Sequence, residues 1–300
     1  MMPAVGVIGL GVLGSAVAQR LLQSGFEVTG YDIAAAPIER LATMGLAGAD
    51  SPAGVADRAA VVITCLPTVE ALHAALSGPR GLREGTIRPL TVVEISTLPI
   101  AEKERARDRL AERGIDALDC PVSGNRLMAL AEGVTAFASG DGDILERARP
   151  VLDGFCREVH HVGPFGDGMK VKLCGNILNL VHNTVAAEVM TLARRSGLDA
   201  EMFHRVISGS GSSSRMFEVR GRLMVDEDYA REGMNFSVPM KDSRIITGHA
   251  ADLHVPIPLY TAALQLYHAA VAQGFEDEDA AAVCKVYEGA AGMRPARSGT

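Results

Sequence analysis

The stretch VGVIGLGVLGSAVAQRLL, residues 5–22, decides the fold. Its apolar start predicts a buried strand, and the apolar positions after Gly14 recur at helical spacing. Between them, Gly9, Gly11 and Gly14 have the G-x-G-x-x-G spacing. Such glycines allow a tight turn, close approach of a pyrophosphate and helix–strand packing. The whole loop is therefore predicted to contact a dinucleotide, through Gly9, Leu10, Gly11, Val12, Leu13 and Gly14.

A carboxylate stands where the second strand should end. Asp32 closes the strand-like run at 27–32 and follows Gly14 by close to the roughly 20 residues expected for a ribose ligand. There it can accept hydrogen bonds from the ribose hydroxyls and would repel a 2′-phosphate. Ile33 and Ala34 supply no cation for such a phosphate. The sequence therefore predicts NAD as the cofactor, in preference to NADP.

The first half of the chain alternates short apolar runs with amphipathic stretches, which predicts an α/β fold: a Rossmann-type, doubly wound parallel sheet. After residue 166 the β-branched runs stop, and the pattern becomes helical, beginning with a long helix at 169–195. We expect a dinucleotide-binding domain at 1–162, an all-helical substrate and oligomerisation domain at 163–293, and a tail at 294–300. The glycine-rich segment 161–168 is the expected hinge.

The composition is that of an ordinary globular protein, with 48% hydrophobic and 22% charged residues. The net charge is −7, and no cluster of Lys and Arg stands out, so we expect no nucleic-acid partner. No apolar run approaches the roughly 20 residues of a membrane span, so no membrane role is expected. The five cysteines are widely spaced, which favours reduced thiols in the cytoplasm. No ligand spacing indicates a metal site.

One face of the long predicted helix is polar. Lys172, Asn176, Asn179 and Asn183 follow one another at i, i+4, i+7 and i+11, among apolar neighbours. Lys170 should point about 200° away around the helix axis, at about 100° per residue. A lysine on such a face can act as general acid and base. The alternative is a merely solvated face.

Several motifs together resemble the β-hydroxyacid dehydrogenase family, whose members include 3-hydroxyisobutyrate dehydrogenase, tartronate semialdehyde reductase and L-threonate dehydrogenase. The resemblance covers nearly the whole chain, in order. The motifs are GLGVLG at 9–14, Leu66-Pro67, Ser96-Thr97, DCPVSG at 119–124, GPFGDG at 163–168 followed by Lys172 and Asn176, and Lys241-Asp242. The C-terminal part looks most like the L-threonate branch.

The resemblance implies hydride transfer between NAD and a small 3-hydroxy or polyhydroxy acid that carries a carboxylate. It implies catalytic roles for Lys172, Asn176 and Ser123, with Lys172 as general acid and base. It also implies a homodimer or homotetramer. The implied substrate contacts are Ser123, Gly124, Asn125, Lys172 and Asn176, and the further cofactor contacts are Leu66, Pro67, Thr97 and Lys241.

The chain differs from the family pattern at positions that are expected to contact the substrate. Asn125 stands where the family usually has a second glycine, and Arg215 stands where the L-threonate branch should have a bulky residue. Arg126 and Arg215 could contact a second end of the substrate, although surface exposure is the simpler expectation for both. Two alternative functions are an imine reductase of the same fold, which should lack a lysine at position 172, and a catalytically silent NAD-binding module.

Overall fold

The computed structural model describes residues 4–230 and 234–293. They form two compact units, which divide in the chain between Lys172 and Leu173. The tail expected at 294–300 lies outside the described residues. The domain limits expected at residues 162 and 293 stay predictions.

The first unit is built on one sheet. Its strands are β1 Ala4–Ile8, β2 Glu27–Tyr31, β3 Ala47–Gly48, β4 Val61–Thr64, β5 Leu90–Glu94, β6 Ile115–Asp119, β7 Val122–Ser123, β8 Val134–Ser139 and β9 Cys156–Gly163. The order is β3-β2-β1-β4-β5-β6-β8-β7, and β9 pairs with β8. The first six strands are parallel, whereas β8 runs antiparallel to β6. The order reverses between β1 and β4, which places a crevice at the carboxyl ends of these two strands.

Helices cover both faces of this sheet. They are α1 Val12–Gln23, α2 Ala35–Ala42, α3 Pro52–Ala56, α4 Val69–Ser77, α5 Ile100–Ala111, α6 Arg126–Ala131 and α7 Gly142–Asp153. Neighbouring strand residues enter opposite cores: Ile63 and Val93 pack with α1 and α7, whereas Val62 and Val92 pack with α3, α4 and α5. Because side chains alternate along a strand, each strand contributes to both layers. The predicted doubly wound sheet is confirmed.

The second unit is helical. The long helix α8 Asp167–Arg195 crosses the division point and is followed by α9 Ala200–Ser208, α10 Arg215–Asp226, α11 Ser237–Asp252, α12 Pro258–Ala272 and α13 Val283–Ala290. Within its described residues this unit contains no strand, only one isolated bridge between Asn235 and Asp279. The prediction of an all-helical second half is confirmed. No helix in the described ranges is long and apolar enough to cross a membrane.

The segment expected to be a hinge is largely ordered structure. Residues 161–163 finish β9, and α8 begins at Asp167, two residues earlier than predicted. Gly168 is inside the helix, where an added Cβ would overlap the carbonyl oxygen of Phe137. A glycine that looks like a helix breaker in the sequence thus permits α8 to start close against the sheet.

Candidate active site and cofactor pocket

Each glycine of the G-x-G-x-x-G motif that joins β1 to α1 has a distinct role. Gly9 has a φ of +91°, a conformation that favours glycine. A Cβ on Gly14 would overlap the carbonyl oxygen of Gly9, so this position permits close packing of helix and strand. A Cβ on Gly11 would meet nothing within 4 Å, and α1 has neither a side-chain cap nor an acidic residue in its first turn. The helix N-terminus is therefore open to an anion such as a pyrophosphate.

The loop borders a pocket of about 500 Å³, a size usual for small-molecule sites. Its wall is mainly apolar, and Asp32 is the one charged residue among the described lining residues. The lining comprises Ile8, Gly9, Gly11, Val12, Leu13, Gly14, Tyr31, Asp32, Ile33, Pro52, Cys65, Leu66, Pro67, Ala71, Ala74, Ala75 and Pro79. This combination of glycine loop, open helix N-terminus and carboxylate fits NAD.

Most of the predicted cofactor contacts meet in this pocket. Leu10 and Thr97 are the two described first-unit members of the predicted set that do not line it. The side chain of Leu10 is fully buried in the core, and its backbone N–H donates to Asp32. Thr97 follows Ser96, whose Oγ accepts the backbone N–H of Leu66 at 2.8 Å.

The sequence did not predict part of the apolar wall of this pocket. Ala71, Ala74 and Ala75 recur at i, i+3 and i+4 and so share one face of α4, joined by Pro52 and Pro79. Small residues on one helix face are the only local signal, and the same signal occurs in ordinary helix packing. Only the strand order reveals which surface they line.

The predicted substrate loop contacts the predicted catalytic lysine. Lys172, on α8, donates a hydrogen bond from Nζ to the carbonyl oxygen of Val122 at 2.8 Å. Val122 and Ser123 form β7, and Gly124 follows with a φ of +138°. The side chain of Asn125 accepts the N–H of Met128 and caps α6. Lys172 therefore lies against the backbone of the loop, whereas the side chain of Asn125 is occupied by its own helix.

Asn176 has its partner within the second unit. Its amide donates to Asp242 Oδ2 at 2.8 Å, and Lys241 Nζ lies 3.6 Å from Asp242 Oδ1. Asp242 is buried, so its carboxylate orients the amide of Asn176 and attracts the ammonium of Lys241. Asn183, which shares the predicted polar face, is fully buried and donates to the hydroxyl of Tyr267 and the carbonyl oxygen of Ala280. The polar stripe is thus partly a core hydrogen-bond network.

Other charged candidates from the sequence lie elsewhere. Lys170 pairs with Asp167 at 2.7 Å on the exposed side of α8. Arg215 is 82% exposed and pairs with Glu218, while Arg126 begins the short helix α6 and is partly buried. Among the described ranges, no group of three or more His, Cys, Asp or Glu residues could hold a metal ion.

The sequence did not predict a buried cluster of three charged residues at the ends of two strands. Lys103, on α5, is buried between Glu94 and Asp119, at the ends of β5 and β6. Asp119 also accepts the backbone N–H of Met169, in the first turn of α8. No local pattern identifies this cluster, because its members lie on three separate elements.

Comparison with protein families assigns both halves of the chain. Residues 4–163 match the model for the NAD binding domain of 6-phosphogluconate dehydrogenase. Residues 166–287 match the model for the NAD-binding of NADP-dependent 3-hydroxyisobutyrate dehydrogenase. The two matches together span nearly all of the described residues.

Individual relatives agree with these models. The L-threonate dehydrogenase of Pectobacterium atrosepticum is 34% identical, over 95% of this chain and 94% of that protein. A solved 3-hydroxyisobutyrate dehydrogenase of Mycobacterium tuberculosis, with L-serine, has a TM-score of 0.86 at 27% identity and covers 95% of this chain and 99% of its own. An imine reductase of Streptomyces aurantiacus has a TM-score of 0.63 at 21% identity, over 94% of this chain and 99% of its own, which shows the fold alone.

Proposed function

The chain belongs to the β-hydroxyacid dehydrogenase family, and we propose that it acts on a small polyhydroxy acid of the L-threonate kind with Lys172 as proton carrier. It is an NAD-dependent dehydrogenase of small hydroxy acids. The imine reductase and the silent module are not favoured, because relatives about one third identical over nearly their full length are dehydrogenases.

The hydrogen bond from Lys172 Nζ to the carbonyl oxygen of Val122 carries the proposal. It holds the amino group beside Ser123, the next residue of the substrate loop. Oxidation of an alcohol requires a base for the hydroxyl proton and a hydride acceptor, which bound NAD supplies. Lys172 takes that proton at Nζ, and in the reverse direction returns it to the oxygen.

The substrate loop suits a carboxylate. The hydroxyl of Ser123 and the backbone N–H groups of Gly124 and Asn125 can bind one together, as successive backbone donors do in an anion-binding nest. Asn125 contributes its N–H, because its side chain caps α6. Asn176 acts on the reacting oxygen through its amide, whose orientation Asp242 fixes.

The proposed cofactor contacts are the ones expected from the motifs: residues 9–14, Asp32, Leu66, Pro67, Thr97 and Lys241. NAD is preferred to NADP, because the carboxylate of Asp32 lines the pocket and the side chain beside it, Ile33, is uncharged and 95% exposed. We also propose domain limits of 1–162 and 163–293.

We also propose that the protein forms a homodimer or homotetramer and is located in the cytoplasm. Leu178, Val185 and Leu192 are exposed and recur every seven residues, so they form one apolar stripe along α8. A second copy of the chain is the proposed cover for this stripe. Leu192→Glu should lower the mass measured by light scattering, whereas Arg105→Glu, at an exposed position on α5, should leave it unchanged. An unchanged mass in Leu192→Glu would remove this argument for assembly through α8.

The substrate assay is direct. NADH formation is followed with a panel of acids that includes L-threonate, glycerate and 3-hydroxyisobutyrate, and cyclic imines are offered with NADH and NADPH. The highest kcat/KM is expected for a polyhydroxy acid. Turnover of imines without turnover of any hydroxy acid would overturn the proposed function.

A further inference from the structure

Two charged side chains at the carboxyl edge of the sheet are almost completely buried. Asp119 is the more deeply buried of the two, and its partner Lys103 comes next. Only 1% of its surface is exposed, and Nζ lies 2.6 Å from Glu94 Oε2 and in contact with Asp119 Oδ1. Nζ also donates to the carbonyl oxygen of Ser96 at 3.0 Å. A buried ammonium is tolerated only when its charge and its N–H groups are matched, as they are here.

Two carboxylates face one ammonium in this cluster, and the start of α8 supplies further donors. Asp119 Oδ2 accepts the N–H of Met169 at 2.9 Å and the hydroxyl of Ser139 at 3.1 Å. Ser139 Oγ in turn accepts the N–H of Gly168 at 3.0 Å. These N–H groups belong to the positive end of the helix dipole, which favours a carboxylate there. Asp119 and Ser139 thus tie the first turn of α8 to β6 and β8.

The positive charge of Lys103 and the negative charges of Glu94 and Asp119 stabilise one another. Burial lowers the pKa of Lys103, but the negative charges of Glu94 and Asp119 more than offset this, so its pKa is raised above the ordinary value. Lys103 therefore carries its positive charge at neutral pH.

One face of α5 supports the same segment. Ile100, Glu104 and Arg107 follow the spacing of this face together with Lys103. The guanidinium of Arg107 lies 4.9 Å from the centre of the Phe165 ring. A Cβ on Gly166 would lie 3.1 Å from Ile100 Cγ2 and 3.8 Å from Glu104 Oε1. The chain is therefore fixed immediately before α8 as well as at its first turn.

We propose that Lys103 and Ser139, which both hold Asp119, are positioning residues for Lys172. By holding Asp119, they fix the first turn of α8 and hence set the distance between Lys172 Nζ and the substrate loop at Val122. All of these contacts lie within the first unit. The proposal rests on the proposed proton-carrying role of Lys172, and it assigns Lys103 no contact with substrate or cofactor.

The alternative is that the cluster only stabilises the sheet. A stabilising role would lower the amount of folded enzyme or its melting temperature without altering the turnover of the molecules that are folded. A positioning role acts on kcat through Lys172 and must vanish when Lys172 is absent. Double-mutant cycles distinguish these two roles.

The experiment measures kcat, substrate KM and NAD affinity in Lys103→Met and Ser139→Ala, alone and combined with Lys172→Ala. Each single variant should lower kcat by about 10- to 100-fold, as expected from a small displacement of a reacting group. Substrate KM should change less than kcat. Combined with Lys172→Ala, neither should lower the remaining kcat by more than about twofold. Arg105→Met, an exposed position on the same helix, is the matched control and should behave as the native enzyme.

Ser139→Ala keeps all three charges and gives the answer even where Lys103→Met does not fold. Native kcat in Ser139→Ala, or the same loss of kcat with and without Lys172, would overturn the positioning role. Near-native kcat in Lys172→Ala alone would instead overturn the proposed function. The two failures are therefore distinguishable.

Discussion

Asp32 accepts a 2.6 Å hydrogen bond at Oδ2 from the backbone N–H of Leu10, and so joins the end of β2 to the glycine loop. Its other oxygen accepts the N–H of Ala34 at 2.9 Å. A carboxylate has about four lone-pair sites, so ribose hydroxyls can still bind. Replacing Asp32 would therefore loosen the loop as well as remove the ribose contact. Ile33, next to it, is the cleaner position at which to test cofactor choice.

The native enzyme should use NAD with a kcat/KM at least about tenfold above that for NADP, which corresponds to about 1.4 kcal/mol. Ile33→Arg should narrow this ratio, because it adds a cation for a 2′-phosphate and keeps Asp32 in place. Ile33→Gln, polar but uncharged, is the control and should retain the native ratio. A native preference for NADP would contradict the role given to Asp32.

The glycine loop gives a matched pair of variants. Gly14→Ala should lower the free energy of unfolding by about 1–3 kcal/mol, because the added methyl group overlaps the backbone of Gly9. Gly11→Ala should change it by less than about 0.5 kcal/mol, since space is open there. Its effect should instead be a large increase in KM for NAD, because the methyl group occupies the expected path of the pyrophosphate. Denaturant unfolding and NAD titration measure both, and unchanged NAD binding in Gly11→Ala would contradict the loop assignment.

The sequence predicted the main elements of the fold because most of them have strong local periodicity. The sequence pattern alone marks the runs at 115–119 and 134–139 as strands, and β6 and β8 have the same bounds. It did not predict β9, since Arg157, Glu158 and His160 are exposed and give this edge strand no apolar face. Nor did it predict β3 or β7, which have two residues each and depend on their partners for pairing.

The candidate site was predictable where residues follow one another in a motif. Gly9, Asp32 and Leu66 meet in one pocket because parallel strands end at the same edge. The Lys103 cluster was not predictable, because α5 is rich in charge and reads as a solvated helix. Its burial depends on Glu94 and Asp119, two carboxylates on different strands.

The cysteines should differ in their reactivity towards iodoacetamide. Burial raises the pKa of Cys284 to about 12, and it also raises that of Cys156 to about 12. Because only the thiolate reacts, both should be modified slowly at mildly alkaline pH and faster as the pH approaches this value. Cys174 is exposed on α8 of a single copy, on the face of the apolar stripe, and should react first in the Leu192→Glu variant, where no second copy covers that face. Mass spectrometry gives the order, with denatured protein as control; equal rates for Cys284 and Cys174 in the folded variant would contradict this prediction.

Ser123→Ala tests the substrate loop. Loss of a hydroxyl bond to a carboxylate costs about 1.5–3 kcal/mol, so substrate KM should rise by roughly 10- to 100-fold. NAD affinity should be unchanged, because Ser123 does not line the cofactor pocket. Steady-state kinetics with saturating NAD, together with NAD titration, separate the two effects. A fall in NAD affinity with constant substrate KM would show that this loop binds the cofactor and not the substrate.

The central claim is that Lys172 carries the proton, and the most direct measurement is kcat for hydroxy-acid oxidation in Lys172→Ala beside Lys170→Ala. Lys172→Ala should lower kcat by about 10²- to 10⁴-fold while NAD affinity stays native. Lys172→Arg should also fail, because a guanidinium does not give up its proton in the accessible pH range. Lys170, which pairs with Asp167 away from the substrate loop, should be replaceable with little loss. Near-native kcat in Lys172→Ala, or inactivity of Lys170→Ala alone, would contradict the mechanism.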